Sequence, residues 1–108
     1  MSDKDNNRFN ELQKLIEERE AKGESITMLV REQIALLQEA HDDFLKNAVE
    51  MGYSLSSPQI GDIEVAQYAA MKQLAEKIGD PIEEYVEQIK SVRIRIFGEA
   101  NYKRFFEQ

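Results

Sequence analysis

The chain has 108 residues and a mass of 12.5 kDa, enough for one domain; 42% of its residues are apolar and 32% charged. The absence of cysteine excludes disulfides, thiolate metal sites and a cysteine nucleophile, and the short apolar runs exclude a membrane-spanning helix. The formal charge of −7 is uneven: residues 1–50 carry 7 Lys/Arg against 12 Asp/Glu, residues 51–89 carry 2 against 7, and residues 90–108 carry 5 against 2. An acidic body disfavours general attraction to nucleic acid or anionic membranes, because phosphate binding needs many cations.

Residues 1–7 are polar, are read as a flexible lead into a single domain over 8–108, and do not resemble a signal peptide; the expectation is a cytoplasmic protein. A first helix is predicted over about 8–22, with Phe9, Leu12 and Ile16 on one face. The second is predicted to start from a cap at Ser25 and run to about Met51, roughly 39 Å at the helical rise. Its apolar stripe contains Val30, Ile34, Leu37, His41, Phe44, Leu45 and Ala48. A serine-rich loop leads through Ser57 and Pro58 to a third helix over about 62–78, with Ile63, Ala70, Met71, Leu74 and Ile78 on one side and Val65 and Tyr68 on a second face.

Asp80, Pro81 and Glu83 read as a capping box opening the fourth helix. In that helix Ile82, Tyr85, Val86, Ile89, Val92 and Ile96 form a seam. Residues 91–97 alternate as an edge strand would, yet no second alternating run exists to pair with them, so they are read as helix. Gly23, Gly52, Gly79 and Gly98 each follow a helical stretch, where a left-handed residue ends a helix; Gly98 could instead be carried within one. The fold class predicted is all-α, an antiparallel bundle of four main helices plus a short C-terminal helical extension. A second helix longer than the first and third, together with apolar residues on secondary faces, predicts burial against another copy or a partner; a fourth helix extending past Gly98 is the alternative cover.

His41 is the only histidine, and with Phe44, Ile89 and Ile96 it is assigned to the core or a subunit interface rather than to a metal or proton-transfer role. One histidine cannot supply the paired motifs of a di-iron carboxylate site. The segment 90–108 interleaves cations with aromatics, and Arg93, Arg95, Phe97, Tyr102, Lys103, Arg104, Phe105 and Phe106 form the candidate partner-binding set. Arginine and aromatic side chains dominate protein-interface hot spots; they also stack bases and neutralise phosphates, or the aromatics fold back onto the bundle while the cations reach solvent. Glu83, Glu84 and Glu87 spell E-E-x-x-E, and Glu39 with Asp42 spells E-x-x-D. These strings resemble the helical magnesium motif of MazG-like nucleotide pyrophosphohydrolases, with their order along the chain reversed. The resemblance implies carboxylates gathered around Mg²⁺.

No phosphate-binding loop or nucleophile elbow is present. The reading favoured is a small, acidic, non-catalytic interaction module of adaptor, chaperone or inhibitor type. It acts through helix surfaces, associates with itself or another protein and requires no cofactor or metal. The alternatives are nucleotide or nucleic-acid binding by the C-terminal segment, and a Mg²⁺-dependent pyrophosphohydrolase.

Overall fold

A computed structural model describes residues 3–54 and 57–106, with the side chains of Asp3, Asp5, Phe105 and Phe106 outside that description. It contains five α-helices: α1 (Asp3–Ala21), α2 (Thr27–Glu50), α3 (Pro58–Lys77), α4 (Ile82–Phe97) and α5 (Glu99–Phe106). The described residues include no strand, so 91–97 is helical and the four-helix bundle with its short extension stands. No helix among the described residues is long and apolar enough to cross a membrane.

The second helix is the hub. It packs against α1, α3 and α4, while α3 also packs against α4, and α5 folds onto α4. α1 begins at Asp3, earlier than the predicted start at about 8. Arg8 pairs with Glu11 one turn on and with Glu32 of α2, where its Nη2 donates to Oε1 at 3.0 Å. The expected face of α1 forms, with Leu12 and Ile16 fully buried.

Helices α1, α2 and α3 end in the same way. The amides of Glu24, Tyr53 and Asp80 return to the carbonyls of Arg19, Ala48 and Ala75, each at 2.9 Å, around Gly23, Gly52 and Gly79. This Schellman geometry needs a left-handed residue, and Gly79 supplies φ 72°. Gly98 ends α4 with φ 85° and ψ 153°, a region essentially reserved for glycine, and so separates α4 from α5.

Two predicted caps differ. Ser57 does cap α3, accepting from the Ile60 amide, with Pro58 at the first turn. The residue before α2, however, is Ile26, not Ser25, and it makes no side-chain cap. Ile26 is partly buried against the main core, and that packing fixes the helix entry. Likewise α4 starts after Pro81 without a side-chain cap, because the Asp80 carboxylate is turned toward Arg31 and Tyr85 instead of the helix amides.

The interior is divided. The main apolar cluster contains Ile16, Val30, Ile34, Met71, Ala75 and Tyr85. A second cluster, Leu45, Ala48 and Ile60 with Phe97 packed against it, lies toward the α2–α3 turn. The radius of gyration is 15.3 Å, against about 13 Å for a compact chain of this length. The molecule is therefore elongated, and it leaves more apolar surface uncovered than a sphere would.

Candidate binding site: a polar layer beneath an apolar groove

Between the two apolar clusters, three helices each contribute polar side chains. His41 and Asp42 come from α2, Glu64 and Gln67 from α3, and Arg93 from α4. The placement follows from helical spacing. Along α3, Ile60, Glu64, Gln67, Met71 and Ala75 follow one another at intervals of three or four, so Glu64 and Gln67 occupy core positions. Because α3 starts at Pro58, its buried stripe runs through Ile60, and Ile63 falls on the margin, 39% exposed. Along α4, Tyr85, Ile89, Arg93 and Phe97 recur every fourth residue, which carries Arg93 inward between apolar neighbours.

Arg93 Nη2 lies 2.6 Å from Glu64 Oε1, and His41 Nε2 lies 3.6 Å from the same oxygen. All three side chains are largely buried, at 13%, 24% and 6% exposure. Burial pushes the Glu64 carboxyl up, but hydrogen bonding with His41 and the positive charge of Arg93 outweigh it and leave the group below its usual range. Asp42 behaves oppositely. Burial raises its carboxyl, the charges of Arg93 and His41 only partly compensate, and Oδ1 has no hydrogen-bond partner. Gln67 Oε1 and His41 Nδ1 also lack hydrogen-bond partners, and the polar neighbour of His41 Nε2 is Glu64 at 3.6 Å, whereas most buried polar atoms in folded proteins have a full hydrogen bond. The His41 ring stacks on Phe44, one turn on, with centroids 6.4 Å apart.

Above this layer a groove of about 320 Å³ opens between α3 and α4. Its walls are Val65, Tyr68 and Met71 from α3 with Val86 and Ile89 from α4, and its floor holds His41, Glu64, Gln67 and Arg93. Val65, Tyr68 and Val86 are exposed along its sides. A second groove, of about 510 Å³, lies on the α2–α3 hairpin, where Phe44, Met51, Tyr53 and Ile63 surround Ala48 and Ile60. A third lies between α2 and α4 and is lined by Glu39, Asp42, Asp43, Glu87 and Arg95, among others.

The predicted partner-binding residues are dispersed rather than gathered. Arg93 faces Glu64 and Phe97 joins the second apolar cluster, so both point into the bundle. Arg95 lines the acidic groove on the other side of α4. Tyr102 is half-buried beneath Lys90, whose Nζ is 6.0 Å from the ring centroid, and Lys103 pairs with Glu99 at 3.5 Å. Arg104 is exposed, while the Phe105 and Phe106 side chains lie outside the described residues.

Of the four core or interface candidates, His41 is buried and Ile89 partly buried against the main cluster. Phe44 and Ile96 are each 37% exposed. Glu39, Asp42 and Glu87 all line the α2–α4 groove, whereas Glu83 is exposed outside it and Glu84 lines a neighbouring depression. Among the described residues, no three carboxylates or histidines converge as a metal-binding group.

Glu64, Gln67 and the inward turn of Arg93 escape a reading of each helix alone, because polar residues normally mark the solvated face. Their signal is the three-to-four spacing shared with Ile60, Met71 and Tyr85. No family model matches the chain, and no curated protein or solved structure is significantly similar to it.

Proposed function

We propose that this protein is a small, non-catalytic interaction module that associates with a second copy of itself through the α2–α3 hairpin. The observation that carries the reading is the hairpin groove: Phe44, Met51, Tyr53 and Ile63 are 37%, 74%, 61% and 39% exposed, and among the described residues no charged one lines it. In a chain that is 32% charged, an uncharged apolar groove is a local departure. Residues 51–71 contain only Asp62 and Glu64 as charged groups. Depletion of charge, with enrichment in aromatics and methionine, is the composition of an interface core.

The occupant follows from charge. Each copy carries −7, so two copies repel wherever acidic surfaces face one another. The groove of the hairpin has no charged lining residue among the described residues, so two copies can approach there, and a two-fold contact would cover the same patch on both. The length mismatch among the helices supports the same surface: α2 has 24 residues against 16 in α4, and Met51, just past the end of α2, is 74% exposed.

The test is a dilution series followed by amide NMR. Signals from residues 44–63 shift with concentration while those of α1 do not, and Ile63→Glu removes the dependence. Val65→Glu, on the opposite flank of α3, leaves it intact. Concentration-independent spectra from the unsubstituted chain would overturn the proposal.

A further inference from the structure

We propose that the groove between α2 and α4 binds a linear polyamine, its ammonium groups set against Glu39, Asp43 and Glu87 and its methylenes over Ala35 and Val92. This groove is separate from the hairpin contact and shares no lining residue with the groove around Met51 and Ile63.

The groove encloses about 680 Å³ and carries the carboxylates of Glu39, Asp42, Asp43 and Glu87 against one cation among the described residues, Arg95. Elsewhere on the bundle, carboxylates that lie between elements are matched: Glu20 pairs with Lys77, Glu32 with Arg8, Glu64 with Arg93 and Asp80 with Arg31. Among the described residues, Glu39, Asp43 and Glu87 make no such pair, and all three are exposed.

Asp42 points to a cation independently of that surface excess. It is only 9% exposed, and the surface it keeps opens into the groove that it lines. Its Oδ1 is buried without a hydrogen-bond partner, and the charges of Arg93, His41 and Arg95 only partly offset the burial of the group. A cation in the groove supplies the missing charge through space, with no bond to the buried oxygen required.

The spread of the carboxylates decides the shape of the ligand. Glu39 and Asp43 stand one turn apart on α2, about 6 Å along its axis, and Glu87 lines the groove from α4. Among the described residues, no three carboxylates or histidines converge on one point. A compact cation therefore reaches only part of this charge, whereas ammonium groups strung along a chain reach several carboxylates at once. Gln38, Gln88 and Ser91 add side-chain oxygens that accept from the same groups. A lysine-rich peptide carries similar ammonium groups, but its peptide units would also lose water in the groove.

The experiment is an NMR titration of the full chain with spermidine at neutral pH and about 0.15 M salt, where attraction by net charge alone is screened. Hexamminecobalt(III), a compact ion of the same charge, and the blocked peptide acetyl-trilysine amide are the comparators. Amides of Glu39, Asp43, Glu87 and Ser91 are expected to shift with spermidine. Each comparator should bind at least about fivefold more weakly, the factor that one charge pair commands. Glu39→Gln combined with Glu87→Gln should weaken spermidine binding about tenfold or more. Glu18→Gln combined with Glu76→Gln removes the same charge elsewhere and should leave binding within about twofold. All four positions are exposed, so neither double variant disturbs the core. No shift at about 10 mM spermidine, shifts confined to α1, a comparator that binds as tightly, or equal losses in the two double variants would each overturn the proposal.

Discussion

Arg31 and Asp80, 49 positions apart in sequence, meet in a two-point ion pair: Nε donates to Oδ2 at 3.0 Å and Nη2 to Oδ1 at 2.9 Å. Tyr85 adds a third bond, its hydroxyl donating to Oδ2 at 2.6 Å. The Schellman turn at Gly79 places Asp80 where it can accept all three, so one carboxylate ties α2 to the α3–α4 connection. Tyr85→Phe should lower stability by about 1–2 kcal/mol, the worth of a hydrogen bond to a charged group. In urea, the midpoint should fall with the slope unchanged.

The same carboxyl sets an acid limit. Hydrogen bonds from Arg31 and then Tyr85 hold Asp80 down at about 2, below its unfolded value of 3.8. A depressed carboxyl contributes stability above its unfolded pKa and loses it as pH falls through the folded one. Thermal melts should therefore show a loss between about pH 4 and pH 2 that Asp80→Asn lacks, since the amide does not titrate. Parallel pH profiles of the two proteins would remove Asp80 from the account.

Asp42 has the opposite sign. Its folded carboxyl lies above the ordinary value because burial disfavours the charge. Its penalty is absent at acid pH and appears as pH rises through the carboxylate range. Asp42→Asn should therefore melt at higher temperature than the parent at pH 7, with the gap closing toward about pH 3. A gap that widens on acidification would show that Asp42 is stabilised by a partner.

For Glu64 and Arg93, breaking the pair is worse than replacing it. Arg93→Met strands a largely buried carboxylate and should cost about 2–3 kcal/mol, whereas Glu64→Leu combined with Arg93→Met should cost less than that single change. Urea unfolding of the four proteins in the cycle gives the coupling, expected at roughly 1–3 kcal/mol. Additive effects would mean that the pair does not act as a unit.

Gln33 lies fully buried between α1 and α2, donating to Gln13 Oε1 at 3.1 Å while its own oxygen has no hydrogen-bond partner. An amide half satisfied in an apolar seam contributes little net stability. Gln33→Leu should leave the protein within about 1 kcal/mol of the parent or more stable, by denaturant midpoint.

The helices were legible in the sequence because their signals are local. Apolar spacing placed α2 and α4, and Gly52, Gly79 and Gly98 marked helix ends through backbone geometry alone, whereas α3, expected from about 62, starts at Pro58. The start of α1 was not legible, since Asp3, Asn6 and Asn7 favour no helix by themselves. Arg8 pairs with Glu32, which is distant in sequence. Asp80 looked like a cap because the residues after it suit one, yet Arg31 and Tyr85 compete for the same carboxylate and win. The polar layer was hidden for a related reason. Glu64 and Arg93 read as solvated when each helix is considered alone, and their burial is intelligible only once α3 and α4 face each other. The seam expected from Ile82 to Ile96 is likewise incomplete, for Val86 and Ile96 lie at its open margins, 39% and 37% exposed.

Sedimentation equilibrium of the unsubstituted protein tests the central claim most directly. The account predicts an average mass that climbs above 12.5 kDa toward twice that value as concentration rises, and that does not fall when salt is added, because the contact is apolar. A mass fixed at 12.5 kDa up to about 100 μM, well above the dissociation constant of an ordinary dimer, would contradict it.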